Sequence, residues 1–224
     1  HYRATDISVT LNMLQKSPDL APLADMNRVG VIGYGAGGLA ALLTGGALPD
    51  CGFRDRYCAG IGRQDMYCNP WAAEKLDTLC ARLPPRGSLL DTRVKAVAAV
   101  SPAFSLLLSQ KSLRYYAPPT LLIAGGAEVE DRPDTVRTVA TWFPRPVEVV
   151  EIDGADTGAF MAPCPPALLE ELPELCGSVA PSERVRVLET LHEVLLAFFM
   201  RHLGDAAKVP VIPPPPDAES SRKR

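Results

Sequence analysis

The sequence predicts an α/β fold, a parallel sheet of about four strands with flanking helices and a cysteine-rich, lid-like excursion. Three observations carry this. Four short apolar runs, "RVGVIG", "RVKAVAAVSP", "APPTLLIAGGAE" and "RPVEVVEIDGA", are bounded by polar or turn-forming residues, as strands covered on both faces are. Segments with helical spacing lie between and around these runs, and alternation of strand with helix is the pattern of a parallel sheet. Residues 49–91 break the alternation: they show no clean period and hold Cys51, Cys58, Cys68 and Cys80.

Taken in order, residues 4–15 place Ile7, Leu11 and Leu14 at helical spacing after a Thr5/Asp6 cap signal. The turn "KSPDLAPLADMN" leads to the first strand, and "GGLAALLTGGA" follows as a small-residue helix that stops at Gly45 and Gly46. Residues 49–91 read as short helices and loops lying over the sheet. The second strand spans residues 93–102, the third 117–128 and the fourth 145–155, with "RPDTVRTVATWF" as a helix between the last two. From Pro181 to Leu203 a long helix carries Val185, Leu188, Leu191, Leu195, Phe198 and His202 on one face. Trp71, Trp142, Phe198 and Phe199 read as core or lid packing. A partial α/β domain is expected over 1–205 and a disordered, Pro-rich tail over 206–224, because successive prolines continue neither a helix nor a central strand.

The chain has 224 residues, 47% of them hydrophobic and 22% charged, enough to bury a sizeable core. A net charge of -3 without a long basic run gives no footprint for nucleic acid. No stretch reaches the roughly 18 apolar residues of a membrane span. The chain begins with His1 rather than Met, which reads as a processed, truncated or recombinant product from which any leader has gone. Six cysteines, four of them crowded together, point to disulfides and an oxidising compartment, hence a secreted or periplasmic location; free buried thiols are the alternative. No CxxC spacing marks a zinc site, so no metal and no cofactor are expected. Six cysteines allow about 15 pairings, of which proximity singles out Cys164 with Cys176.

The chemistry turns on "GVIGYGAGGLAALLTGG", a strand running through glycines into a helix. As a phosphate loop, Gly33, Gly35 and Gly38 match GxGxxG, and NAD or FAD would be the ligand. That pattern also wants a strand ending in an acid about 20 residues on; the place holds Asp50 and Asp55 with no apolar run to carry either. As a nucleophile elbow, GxSxG would occupy Gly33 to Gly37, with Gly35 at the nucleophile position and the Ala36 backbone N–H as an oxyanion donor. An acid then follows a later strand at Glu128, with Asp131 next in line, and the base position after the last strand falls on Thr157.

At these motifs the sequence resembles the secreted, predicted dienelactone-hydrolase and platelet-activating-factor-acetylhydrolase-like esterases of the α/β-hydrolase superfamily. The resemblance runs from about Asp6 to Leu203. It is carried by "DISVTLNML", by "NRVGVIGYGAGGLAALLTGGA" where the family reads RVGVxGHSxGGxxALxxxGA, and by "LLIAGGAE" where it reads LLIAGGAD. "GADTGAFMAPCPPAL…PELC" stands where it reads GAGHFAFLAPCPPAL…PxLC, and "AFFMRHL" closes the match. It implies the C-terminal half of an α/β-hydrolase fold, a carboxylic-ester hydrolase ancestry without a metal, and a small ester or lipid ligand. About four of the usual eight strands, and the loop giving the second oxyanion donor, would lie upstream of this chain. The elbow strand is then an exposed sheet edge, open to a missing N-terminal half or to homo-oligomer pairing.

The departures decide the functional expectation. Gly35 has no hydroxyl to attack a carbonyl, and Thr157 cannot act as a general base near neutral pH. Loss of triad members costs on the order of 10⁴ to 10⁶ in turnover. An elbow residue is strained by about 1–3 kcal/mol unless it is Gly, so Gly35 trades activity for stability. The chain is therefore read as a pseudoenzyme or fragment, with Tyr34 lining its pocket. The rivals are an ester hydrolase that uses an unrecognised nucleophile or is completed by a partner chain, and a dinucleotide-binding protein. Ser101 and Thr44 are the other hydroxyls near the strand ends, but no pattern places a His for either. His192 and His202 read as a helix edge and a C-terminal cation.

Overall fold

The computed structural model describes residues 2–60, 62–63, 65–81, 89–103, 105–129, 132–176 and 178–204. The expected tail over 206–224, His1 and Asp131 lie outside them. In chain order the elements are α1 (Tyr2–Lys16), β1 (Val29–Tyr34), α2 (Ala36–Thr44), α3 (Arg54–Ala59), α4 (Pro70–Ala81), β2 (Val94–Val100), β3 (Thr120–Gly125), α5 (Pro133–Ala140), β4 (Glu148–Ile152), α6 (Pro166–Glu171), α7 (Pro173–Cys176) and α8 (Pro181–Leu203).

The four strands form one parallel sheet in the order β1-β2-β3-β4. The reason is visible in β2 and β3, whose residues are buried on alternate faces. Val97, Ala99, Leu122 and Ala124 face a core built with α2, α5 and the cysteine-rich excursion, while Ala98, Val100, Leu121 and Ile123 face α8. A strand covered on both sides has no polar face to alternate, so it reads as an unbroken apolar run. β3 and β4 are shorter than the apolar runs that announced them, because Pro118 and Pro119 delay the one and Pro144 and Pro146 the other.

Residues 49–91 contain α3 and α4 with short 3-10 turns, tied by two disulfides, Cys51–Cys80 and Cys58–Cys68, that sequence spacing left undetermined. The expected Cys164–Cys176 bridge is also present, with Cα atoms 5.7 Å apart. Inside the excursion the Tyr57 hydroxyl, on a side chain 1% exposed, donates to Asp65 Oδ2 at 2.9 Å, and Tyr67 N–H donates to Oδ1 at 2.8 Å. Burial nonetheless pushes the Asp65 carboxyl up. Phe53 meets Trp142 edge-on at 5.3 Å, which packs the excursion on the sheet; the Trp71 side chain lies outside the described residues.

One expectation needs correction. Val185 is 46% exposed, and the buried stripe of α8 runs through Arg184, Val187, Leu191, Val194, Leu195 and Phe198. Counting only apolar residues rotated the predicted face, since the stripe includes a buried arginine that periodicity scores as polar.

Candidate functional site

Parallel pairing aligns the carboxyl ends of the strands. Tyr34 lies opposite Val100, Val100 opposite Ile123, and Gly125 opposite Ile152. Whatever follows each strand therefore emerges at one edge, the place where open parallel sheets hold their ligands.

After β1 the chain turns at Gly35, with φ 55° and ψ -124°, directly into α2. This is a conformation that residues with a Cβ avoid. The turn is pinned by Gly35 N–H donating to the Val100 carbonyl at 3.0 Å and by the Gly35 carbonyl accepting from Gly38 N–H at 2.8 Å and Ala103 N–H at 3.0 Å. A Cβ on Gly35 would meet nothing within 4 Å, whereas one on Gly33 would lie 1.9 Å from the Gly37 carbonyl oxygen. Space thus opens above Gly35, and Ala36 begins α2 with its N–H at the helix N-terminus.

Just after β3, Glu128 folds back so that its N–H donates to the Gly125 carbonyl at 3.1 Å. Its side chain is buried, the residue being 6% exposed. Oε1 accepts from Val129 N–H at 3.0 Å, and Oε2 accepts from Ser101 Oγ at 2.9 Å and from Thr157 Oγ1 at 2.5 Å. Thr157 opens a 3-10 turn, Thr157–Phe160, beyond β4, capped by Asp156 Oδ1 accepting from Ala159 N–H at 2.9 Å. Tyr34, rather than only lining a space, donates its hydroxyl to the Thr157 carbonyl at 2.5 Å and packs near Phe160 with ring centres 6.3 Å apart.

The structure thus brings Glu128 and Thr157 into direct contact, while Gly35 lies at the same edge of the sheet at the end of β1, separated from β3 by β2. It adds one residue that sequence reasoning had set aside. Ser101 is the one non-glycine among the described residues with positive φ, at 40°, and its hydroxyl joins Thr157 on the same carboxylate oxygen. The signal available was its place between the β2 run and Pro102, where a strand must end. The described histidines lie elsewhere: His192 is exposed on α8, and His202 Nε2 lies 3.4 Å from Glu148 Oε1. Thr44 is fully buried and bonds the Ala40 carbonyl at 2.8 Å. Asp50 accepts from Ser109 Oγ at 2.7 Å and Asp55 pairs with Arg54, so neither ends a strand. Chemically, the arrangement offers hydroxyl and amide donors around a carboxylate, with no nucleophile at the turn.

Among solved structures the chain is similar to a predicted CIB-like hydrolase from Thermoplasma acidophilum, with 14% identity and a TM-score of 0.38 over 85% of this chain and 58% of that one. It is also similar to Thermogutta terrifontis esterase 2, with 17% identity and a TM-score of 0.40 over 76% of this chain and 55% of the esterase. The monoacylglycerol lipase of Paleococcus ferrophilus matches at 13% identity and a TM-score of 0.37, over 79% and 74% of the two chains. The chain thus spans little more than half the length of the first two. No protein-family model matches it, and no curated protein matches it. Three disulfides join all six cysteines, and no helix among the described residues is long and apolar enough to cross a membrane.

Proposed function

We propose that this chain is an α/β-hydrolase of the secreted dienelactone-hydrolase-like esterase group that does not hydrolyse esters by itself. It acts as a pseudoenzyme whose site binds a small ester or lipid ligand in a secreted or periplasmic setting. The observation that carries the reading is the Glu128–Thr157 hydrogen bond beside a glycine at the strained turn. The proposed nucleophile, acid and base positions follow their strands in the chain order of a hydrolase triad, and two of the three lack the chemistry. The cystines support the oxidising compartment.

The test is hydrolysis of p-nitrophenyl acetate by the chain and by its Gly35→Ser, Thr157→His double variant. Restoring a nucleophile with its base is expected to raise turnover by on the order of 10²-fold or more over the unsubstituted chain. Turnover by the unsubstituted chain, or its labelling by a fluorophosphonate, would favour the unrecognised-nucleophile reading instead. Saturable NAD or FAD binding would favour the dinucleotide reading.

The partner we infer is a second copy of the chain, paired along β1. Among the described residues β1 pairs only with β2, and Ile32 on it is 55% exposed. Beside it α1 and β1 enclose a groove of about 500 Å³ lined by Ile7, Leu11, Val29, Val31 and Ile32. Arg3 and Asp6 on the rim give it charges of both signs, which suits a self-complementary contact. The strand sequence VGVIGY carries no charge and no proline to discourage edge pairing.

A further inference from the structure

Arg184 is 2% exposed, and its guanidinium joins two segments that are distant in the chain. Nη1 donates to the Gly158 carbonyl, next to Thr157, and Nη2 donates to the Cys176 carbonyl at 2.9 Å. Cys176 in turn is cross-linked to Cys164. Between these anchors, residues 162–173 contain no buried residue, and Leu168, Leu169 and Leu172 are 37%, 41% and 48% exposed. Side-chain packing therefore does little to hold residues 162–173, whose C-terminal end is fixed at Cys176, itself 5% exposed, by the cross-link to Cys164 and by the buried guanidinium. A planar guanidinium in a dry setting bonds two carbonyls with fixed geometry, so a displacement of one is felt by the other.

We propose that Arg184 is a positioning residue that couples the Cys164–Cys176 cross-link to the Thr157 turn, so that the order of this corner of the site follows the redox state of that disulfide. A thiolate of a dithiol reductant attacks the half-buried Cys164 sulfur and Cys176 leaves as a thiolate. The second reductant thiol then closes the reductant's own disulfide and releases Cys164, so two electrons pass to the protein. With the cross-link open, the Cys176 carbonyl no longer has a fixed place, and Arg184 loses a support that helps align it on Gly158. This coupling goes beyond the hydrolase reading and stands independently of it.

Hydrogen exchange of the full chain tests it through the amides of Ala159 and Met161, which bond Asp156 Oδ1 and the Gly158 carbonyl. In the Cys164→Ser, Cys176→Ser variant, exchange over residues 157–161 is expected to accelerate by about tenfold or more while β2 and β3 keep their protection. Arg184→Lys, which keeps the charge but not the two-pronged geometry, is expected to do the same with the disulfide intact. Unchanged exchange over 157–161 in the cysteine variant would overturn the coupling, as would a rise spread over the whole chain. Should Arg184→Lys leave the turn as protected as the parent, Arg184 is not the link and the proposal falls, whatever esterase assays show.

Discussion

The elbow glycines allow backbone strain to be measured apart from packing. At Gly35 a methyl group would enter open space, so Gly35→Ala carries a single cost, that of holding a residue with a Cβ at φ 55°. That cost is of order 1–3 kcal/mol. At Gly37, inside the first turn of α2, a Cβ also meets nothing within 4 Å and φ is not positive, so Gly37→Ala adds helix propensity worth up to about 1 kcal/mol. The two variants, separated by a single residue, are therefore expected to differ by roughly 1–4 kcal/mol with opposite signs, and for a chain of this size each kcal/mol moves Tm by about 2–4 °C. Gly33→Ala is the steric control, since its Cβ would fall 1.9 Å from the Gly37 carbonyl oxygen, and it should be the worst of the three. Urea unfolding at constant slope gives the comparison. A Gly35→Ala protein as stable as Gly37→Ala would refute the strained turn, and with it the argument that glycine here exchanges catalysis for stability.

Two further outcomes follow from the fold. Asp91, 8% exposed in the turn just before β2, accepts from Arg93 Nη2 at 2.6 Å, and chiefly the Arg93 side-chain hydrogen bonding lowers its pKa to about 2. Because the folded value lies below the unfolded one, its contribution of about 2 kcal/mol is present above pH 4 and lost as pH falls from about 4 to about 2. Asp91→Asn should be less stable than the parent at pH 7 and nearly equal to it near pH 2; an equal deficit at both would exclude the ionised pair as the cause. On the β1 edge, Ile32→Lys places a charge where a second copy would pair and should yield monomer in sedimentation velocity at concentrations where the parent self-associates. A parent that is monomeric throughout would rule out the second copy as the partner.

How much was legible follows from the range over which each feature is encoded. Strand positions, the small-residue helix after the glycine turn and the long last helix are written in patterns a few residues apart, so the sequence alone determined an α/β chain with its turn at Gly35. That Glu128 and Thr157 emerge at one edge was also legible, because loops after parallel strands share one end of the sheet. Cysteine number pointed to cross-linking, and closeness in the chain paired Cys164 with Cys176. Only the tertiary structure decided which of Cys51, Cys58, Cys68 and Cys80 pair, since those partners depend on how α3 and α4 pack. The same holds for Ser101 on Glu128 and for Tyr34 on Thr157. Sheet register sets both contacts, joining residues 27 and 123 positions apart, and no local pattern carries that information. Arg184 shows the limit most clearly: on a helix it reads as a solvated charge, and it is buried where carbonyls from the Thr157 turn and from the end of α7 converge on it.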